Sequence, residues 1–149
     1  MKVIFLDFNG VLDTYENMDK IDQNNLKRLK YIVDNTNAKV VISSSLKNSY
    51  YYTGKLSSQL NKIIEELENV GIEVIGITPK AKEREDEIKL YLGQHKEVES
   101  YCILDDDYDM ETLKDNLVKL PPQMQNGQSG LEDEHVEKAI KILSKVKNK

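Results

Sequence analysis

Two short runs of this chain stop on carboxylates. Residues 5–14 read FLDFNGVLDT and residues 101–107 read YCILDDD. A third run, AKVVIS over 38–43, stops on Ser43, and Ser44 and Ser45 follow it. Lys82 and Arg84 stand in KAKEREDEIKLYL, residues 80–92. Taken alone, DFNG reads first as a capping Asp in an Asx turn before Gly10, with metal ligand and nucleophile as the other uses of Asp7. The second acidic run changes that reading. Two acidic strand ends brought together repel, and one carboxyl keeps its proton unless a cation lies between them. A hard divalent ion meets that need. Mg²⁺ takes one or two carboxylates and fills the rest of its shell with water and phosphate oxygens. Ser43 and a nearby Lys or Arg would offer donors and charge to the same phosphate.

The elements that must position these groups follow from apolar spacing. Val- and Ile-rich runs at 2–7, 38–43, 72–77, 101–105 and 116–120 read as buried strands. Between them lie stripes at helical spacing: Leu26, Leu29, Ile32 and Val33 in 22–35; Leu56, Leu60, Ile63, Ile64 and Leu67 in 56–69. Ile88, Tyr91 and Leu92 do the same in 84–93, and Val136, Ile140, Leu143 and Val146 in 132–146. Strand–helix alternation with continuously apolar strands predicts a parallel sheet covered on both faces. Ligands in such sheets bind beyond the carboxyl ends of the strands. Those ends carry Asp7, Ser43 to Ser45, Thr78-Pro79-Lys80, Asp105 to Asp107 and Pro121-Pro122. Acids, hydroxyls and cations from distant segments therefore collect on one edge.

Composition narrows the function classes. The chain has 149 residues, enough for one domain over 1–149 with one substantial core. No apolar run approaches the ~20 residues that span a bilayer, and the opening apolar run ends at Asp7, too soon for a signal peptide. One cysteine, Cys102, leaves no internal disulfide and no Cys-rich zinc site; two histidines argue against a His-based one. A cytoplasmic location fits. The net charge of −5 argues mildly against a broad nucleic-acid surface but leaves room for a pocket that takes one phosphate.

DFNGVLDT resembles the first motif of the haloacid dehalogenase (HAD) superfamily of phosphotransferases, usually Asp-x-Asp-Gly followed by Thr or Val and an aliphatic residue. VVISSSLK resembles its second motif, KAKEREDEIKLYL its third and YCILDDD its fourth, in that order over nearly the whole chain. SGLEDEHVEKAIKIL is similar to the tail of a small capless branch grouped with the HAD domains of RNA-repair proteins. The resemblance implies a three-layer α/β/α, Rossmannoid domain with a five-stranded parallel sheet. It implies that Asp7 attacks phosphorus and forms an aspartyl-phosphate, splitting one displacement into two. Mg²⁺ would be held by Asp7, the Asn9 carbonyl, and Asp105 or Asp106. Ser43 would donate to the phosphoryl group, Arg84 or else Lys82 would supply positive charge, and Ser44, Lys47 and Lys82 would bind substrate. For Lys47 a solvated surface lysine is the favoured reading over a phosphate contact.

Position 9 departs from the pattern. Hydrolytic relatives carry Asp there, which protonates the leaving group and then activates water; Asn cannot. Three readings stay open: a natural weak or non-hydrolytic member, an introduced substitution, or another group such as Asp13 or a substrate proton doing the work. Only residues 8–37 separate Asp7 from the second strand, most of them one helix, and the second gap also reads as one helix. No large cap domain fits, so the substrate would be one that closes the site itself, such as a nucleotide or a nucleic-acid end. SYYYTGK (49–55) offers tyrosines that could stack on a base, with at least one expected to pack on the core. His95 and His135 read as helix-surface residues, Asp13 and Asp109 as turn residues, and Cys102 as a packed thiol. Two rivals stand beside the phosphatase reading. One is an inert phosphate-binding or regulatory module. The other is a phospho-acceptor receiver domain, disfavoured because the second strand ends in Ser43 and the third meets Thr78, where a receiver needs its acceptor Asp.

Overall fold

The computed structural model describes residues 1–106 and 109–145. Five strands run parallel: β1 (Lys2–Leu6), β2 (Lys39–Ile42), β3 (Val74–Ile77), β4 (Ser100–Asp105) and β5 (Leu117–Lys119), in the order β3-β2-β1-β4-β5. Among the described residues five helices flank the sheet: α1 (Gln23–Thr36), α2 (Asn48–Thr53), α3 (Ser58–Asn69), α4 (Arg84–Gln94) and α5 (Asp133–Leu143). This is the three-layer α/β/α arrangement, without a cap domain. No helix among the described residues is long and apolar enough to cross a membrane.

Strand side chains alternate between two cores, as a period of two requires. Ile4, Leu6, Val40, Ile42, Cys102 and Leu104 face one layer, where Leu26, Leu29, Ile32 and Val33 of α1, Leu60, Ile63 and Leu67 of α3, and Val136 and Leu143 of α5 are buried. Val3, Phe5, Val41 and Ile103 face the other, against Ile88 and Tyr91 of α4. There the Phe5 ring meets Tyr91 edge-on at 5.5 Å. Cys102 is buried as expected, and burial pushes its thiol pKa well up. The stripes read from spacing thus form the core; Val146 and Asp107 lie outside the described residues.

Flush strand ends put the chemistry on one edge. Leu6 pairs in register with Ile42 and with Leu104, and Ile42 with Ile77. The ladder then continues one residue further. Asp7 N donates to Leu104 O (3.1 Å), Ser43 N to Leu6 O (3.0 Å) and Thr78 N to Ile42 O (3.0 Å). Asp7, Ser43, Thr78 and Asp105 are therefore neighbours along a single rim.

Four local expectations change. The second gap holds two helices, because the YYY run makes the short α2, closed by Gly54 at φ +75° before α3 begins at its Ser57 cap. None of Tyr50, Tyr51 and Tyr52 is buried in the core; they are 43%, 41% and 74% exposed. Lys47 is not a surface lysine but 1% exposed. His135 is buried as well, because its Nδ1 accepts from Glu132 N (2.9 Å) and holds the first turn of α5. His95 stacks on Tyr91 at 3.8 Å.

Candidate active site

β1 ends at Leu6, so Asp7 is the first residue past the central strand, and its Oδ1 accepts from Phe8 N (2.9 Å). Gly10 then takes φ +81°, and a Cβ there would lie 2.1 Å from Asp106 Oδ2. Only glycine tolerates both that backbone and that approach, so Gly10 lets the loop after β1 close on the loop after β4. Asp13 ties this loop down. Its fully buried carboxylate accepts from Gly10 N (2.6 Å), Asp19 N (2.8 Å), Asn9 Nδ2 (2.8 Å) and Gln123 Nε2 (2.6 Å). Asp13 is thus a turn residue, as expected, held by one donor on Oδ1 and three on Oδ2. Asp109 pairs with Lys119 at 3.0 Å.

The acids converge. Asp7, Asp105 and Asp106 are all buried, and each offers a carboxylate oxygen within 4.8 Å of the others. Arg84, the first residue of α4, reaches into them, with Nη1 2.8 Å from Asp105 Oδ2 and 3.7 Å from Asp7 Oδ1. Asp106 Oδ2 also accepts from Gln123 N (2.7 Å). Burial, then the Asp105 charge, push the Asp7 pKa well above the usual carboxylate range; Arg84 pulls it back only partly, and Asp106 adds to the rise.

Of the expected cations, Arg84 stands at the acids while Lys82 is exposed two residues earlier. Lys47 lies behind the site, where Nζ donates to Glu87 Oε1 (2.8 Å) and Ser43 O (3.4 Å), and burial lowers its pKa. Glu87 also approaches Arg84 Nε at 3.8 Å, so Lys47 and Arg84 share one carboxylate. Ser43 Oγ is buried with no hydrogen-bond partner, whereas Ser44 Oγ accepts from Leu46 N and starts the turn before α2. Asn9 is half-buried, and its Nδ2 donates to Asp13 Oδ2 and Asp19 Oδ1, both at 2.8 Å.

A cleft of about 200 Å³ opens onto Asp7, Asn9, Arg84 and Asp106, walled by Ser45, Pro122, Gln123 and Met124. Ser45 was legible as the third serine of its run. Nothing in the sequence marked Gln123, which bridges the first and last loops. A larger cavity, about 610 Å³, lies at the opposite edge beside Val98 and Ser100, where β4 begins. Among the described residues it gathers no acid cluster, and it lies away from the carboxyl ends of the strands, where ligands of such sheets bind.

Residues 3–136 match the family model for the HAD domain in Swiss Army Knife RNA repair proteins. The chain belongs to this family. No curated protein and no solved structure matches. For this HAD domain the three-carboxylate cluster fits a metal ion. Its donors are hard oxygens, and the burial and carboxylate repulsion that raise the Asp7 pKa are what a divalent cation offsets.

Two outcomes follow from this geometry. The folded Asp7 pKa is raised, so this group stabilises the metal-free fold at low pH and loses that contribution as pH rises through the raised value. Asp7→Asn is expected to raise the melting temperature of the metal-free HAD domain at pH 7, with the gain shrinking as pH falls, and to abolish any rise on adding Mg²⁺. A variant that melts below the parent at pH 7 would show that charge crowding is not what strains the cluster. Lys47→Met takes the 2.8 Å partner from buried Glu87 and leaves it the longer contacts to Arg84 and Ala81 N, a loss of about 3 kcal/mol, the low side for a broken buried pair, or roughly 10 °C for a chain of this size. The double variant Lys47→Met/Glu87→Leu should recover most of it; no recovery in thermal melts would remove the pair from the account.

Proposed function

We propose that this HAD domain, over residues 1–149, is a phosphoric monoester hydrolase that works through an aspartyl-phosphate on Asp7, uses Mg²⁺, and takes a nucleotide or a phosphorylated nucleic-acid end. The supporting observation is the convergence of Asp7, Asp105 and Asp106 with the Arg84 guanidinium at one cleft. A cytoplasmic setting suits a lone thiol such as Cys102.

In the first step an Asp7 carboxylate oxygen attacks phosphorus and the bond from phosphorus to the leaving oxygen breaks. The leaving oxygen takes up a proton. In the second step water attacks the acyl-phosphate, inorganic phosphate departs and Asp7 is restored. Asp7, the Asn9 carbonyl, and Asp105 or Asp106 would hold the magnesium ion, which neutralises charge on the phosphoryl oxygens. Arg84 adds charge on the same group. Ser43, whose Oγ lacks a partner, donates to a phosphoryl oxygen, with Ser44 shaping the turn beside it. Lys47 acts from behind, holding Glu87 and through it Arg84, and Lys82 meets substrate outside the cleft.

Asn9 supplies no proton. Asp13 does not replace it, because four donors already fix its carboxylate in the loop. An Asp at position 9 would face Asp13 and Asp19 where the amide now donates. Two like charges at that range hold its proton on to higher pH, the state a general acid needs. The same amide favours the second reading, a phosphate-binding module without turnover.

Asn9→Asp is expected to raise turnover of an aryl phosphate with Mg²⁺ by roughly tenfold or more, the low side of what acid–base catalysis contributes. Steady-state assays of both forms decide it. Unchanged, measurable turnover in both would take the acid–base role away from position 9. No turnover in either, with Mg²⁺-dependent phosphate binding intact, would establish the binding module.

A further inference from the structure

The tyrosines of α2 take no part in the mechanism above, yet α2 begins three residues after Ser45 on the cleft wall, through a short turn. Tyr51 is fixed over the rim, its hydroxyl donating to Thr78 O (2.8 Å). Tyr50 packs edge-on against Tyr51 at 5.4 Å and 88°. Tyr52 is held from the other side: the Lys80 ammonium sits 4.2 Å from its ring centroid and also contacts its hydroxyl. Three tyrosines are thus pinned by their neighbours while keeping much of their ring area in water.

Charge on this side of the rim runs against the whole-chain average. Residues 43–64 and 74–82, which build it, contain no Asp or Glu, although the net charge is −5. Lys55, Lys80 and Lys82 are exposed there. Thr78 stands two strands from Asp7 along the rim, a step of roughly 10 Å at the usual interstrand spacing. Rings next to ammonium groups, on the rim that also carries the phosphate-taking carboxylate, offer a strand both base and phosphate contacts. Every base presents a π-face, so such a platform binds without regard to sequence. A folded duplex would offer only its end base pair to the rings.

We propose that Tyr50, Tyr52 and Lys80 form a docking platform for single-stranded nucleic acid, stacking the bases next to the terminal phosphate that enters the Asp7 cleft. This rests on the phosphatase reading for the phosphate end and supplies what a cap domain would otherwise do, which is to hold the rest of the substrate. The same platform would favour oligonucleotides over small aryl phosphates.

The test separates docking from turnover. Fluorescence anisotropy measures binding of a labelled single-stranded oligonucleotide with a phosphorylated end to the full chain, to Tyr52→Ala and to Tyr50→Ala/Lys80→Ala. A parallel arm uses an abasic strand of the same length. Aryl phosphate turnover of the Asn9→Asp form, with and without the tyrosine changes, reports on the cleft alone. The expected result is a loss of about 5- to 100-fold in affinity in each variant and a similar loss for the abasic strand, with turnover of the aryl phosphate unchanged. Equal affinity of parent and variants, or of normal and abasic strands, would overturn the platform. A partner protein as the true occupant would show itself by the absence of any measurable oligonucleotide binding, which overturns it too. Absent turnover beside variant-sensitive binding would instead overturn the phosphatase reading and leave the platform standing.

Discussion

Three carboxylates share a space in which two full negative charges are already uncomfortable. Asp7, Asp105 and Asp106 present oxygens within 4.8 Å of one another, and at an effective dielectric near 20 such a pair repels by roughly 3–4 kcal/mol. Asp7 faces two of these repulsions and loses hydration by burial. Arg84 lies 3.7 Å from it but closer to Asp105, at 2.8 Å, so one guanidinium divides its charge between two acids. The balance still leaves the Asp7 pKa well above the usual carboxylate range. A cluster of hard carboxylate oxygens with this electrostatics fits a divalent cation.

The sheet makes the crowding unavoidable. With the order β3-β2-β1-β4-β5, the first strand is central and its end is flanked by the ends of the second and fourth. Residues far apart in the chain, Asp7, Ser43 and Asp105, become adjacent because the strands stop level with one another. Gly10 then removes the last obstacle, since any side chain there would meet Asp106. Behind the rim, the Lys47–Glu87 pair holds α4 against the end of β2, which fixes the place from which Arg84 reaches the acids.

What the sequence disclosed follows from this division. Strands buried on both faces are continuous Val/Ile runs, and their last polar residues announce the rim, so strand order aside, the acids and Ser43 were legible. The sequence left Arg84 and Lys82 both open; the fold separates them, because α4 begins at Arg84, whose side chain reaches the acids, while Lys82 is exposed before it. Burial of charged residues was not legible. Lys47 and His135 look like surface residues in a linear reading because their partners, Glu87 and the Glu132 backbone, are supplied by folding. The helix α2 was hidden for another reason: three tyrosines in succession show no apolar stripe, since its rings stand against Thr78 and Lys80 instead of a core. Gln123 was invisible because its role depends on a loop conformation that no residue spacing encodes.

The amide at position 9 belongs to the same electrostatic economy. Asp13 and Asp19 both accept from Asn9 Nδ2, and Asp13 in addition holds Gly10, Asp19 and Gln123 in place. A carboxylate at position 9 would build a second acidic triple beside the first, one residue before the glycine that brings the two loops together. The neutral donor avoids that repulsion and secures the loop, at the cost of a proton donor in the cleft. Asp13 does not make up the loss, because four donors fix its carboxylate in the loop. On the phosphatase reading, the proton for the leaving oxygen must then come from solvent or from the substrate itself, which favours substrates whose leaving oxygen is a good leaving group or carries a donor of its own nearby. Chemistry that is slow for want of an acid also lengthens the time for which a bound phosphate end must be retained, and in a cleft without a cap that retention falls to contacts outside the cleft.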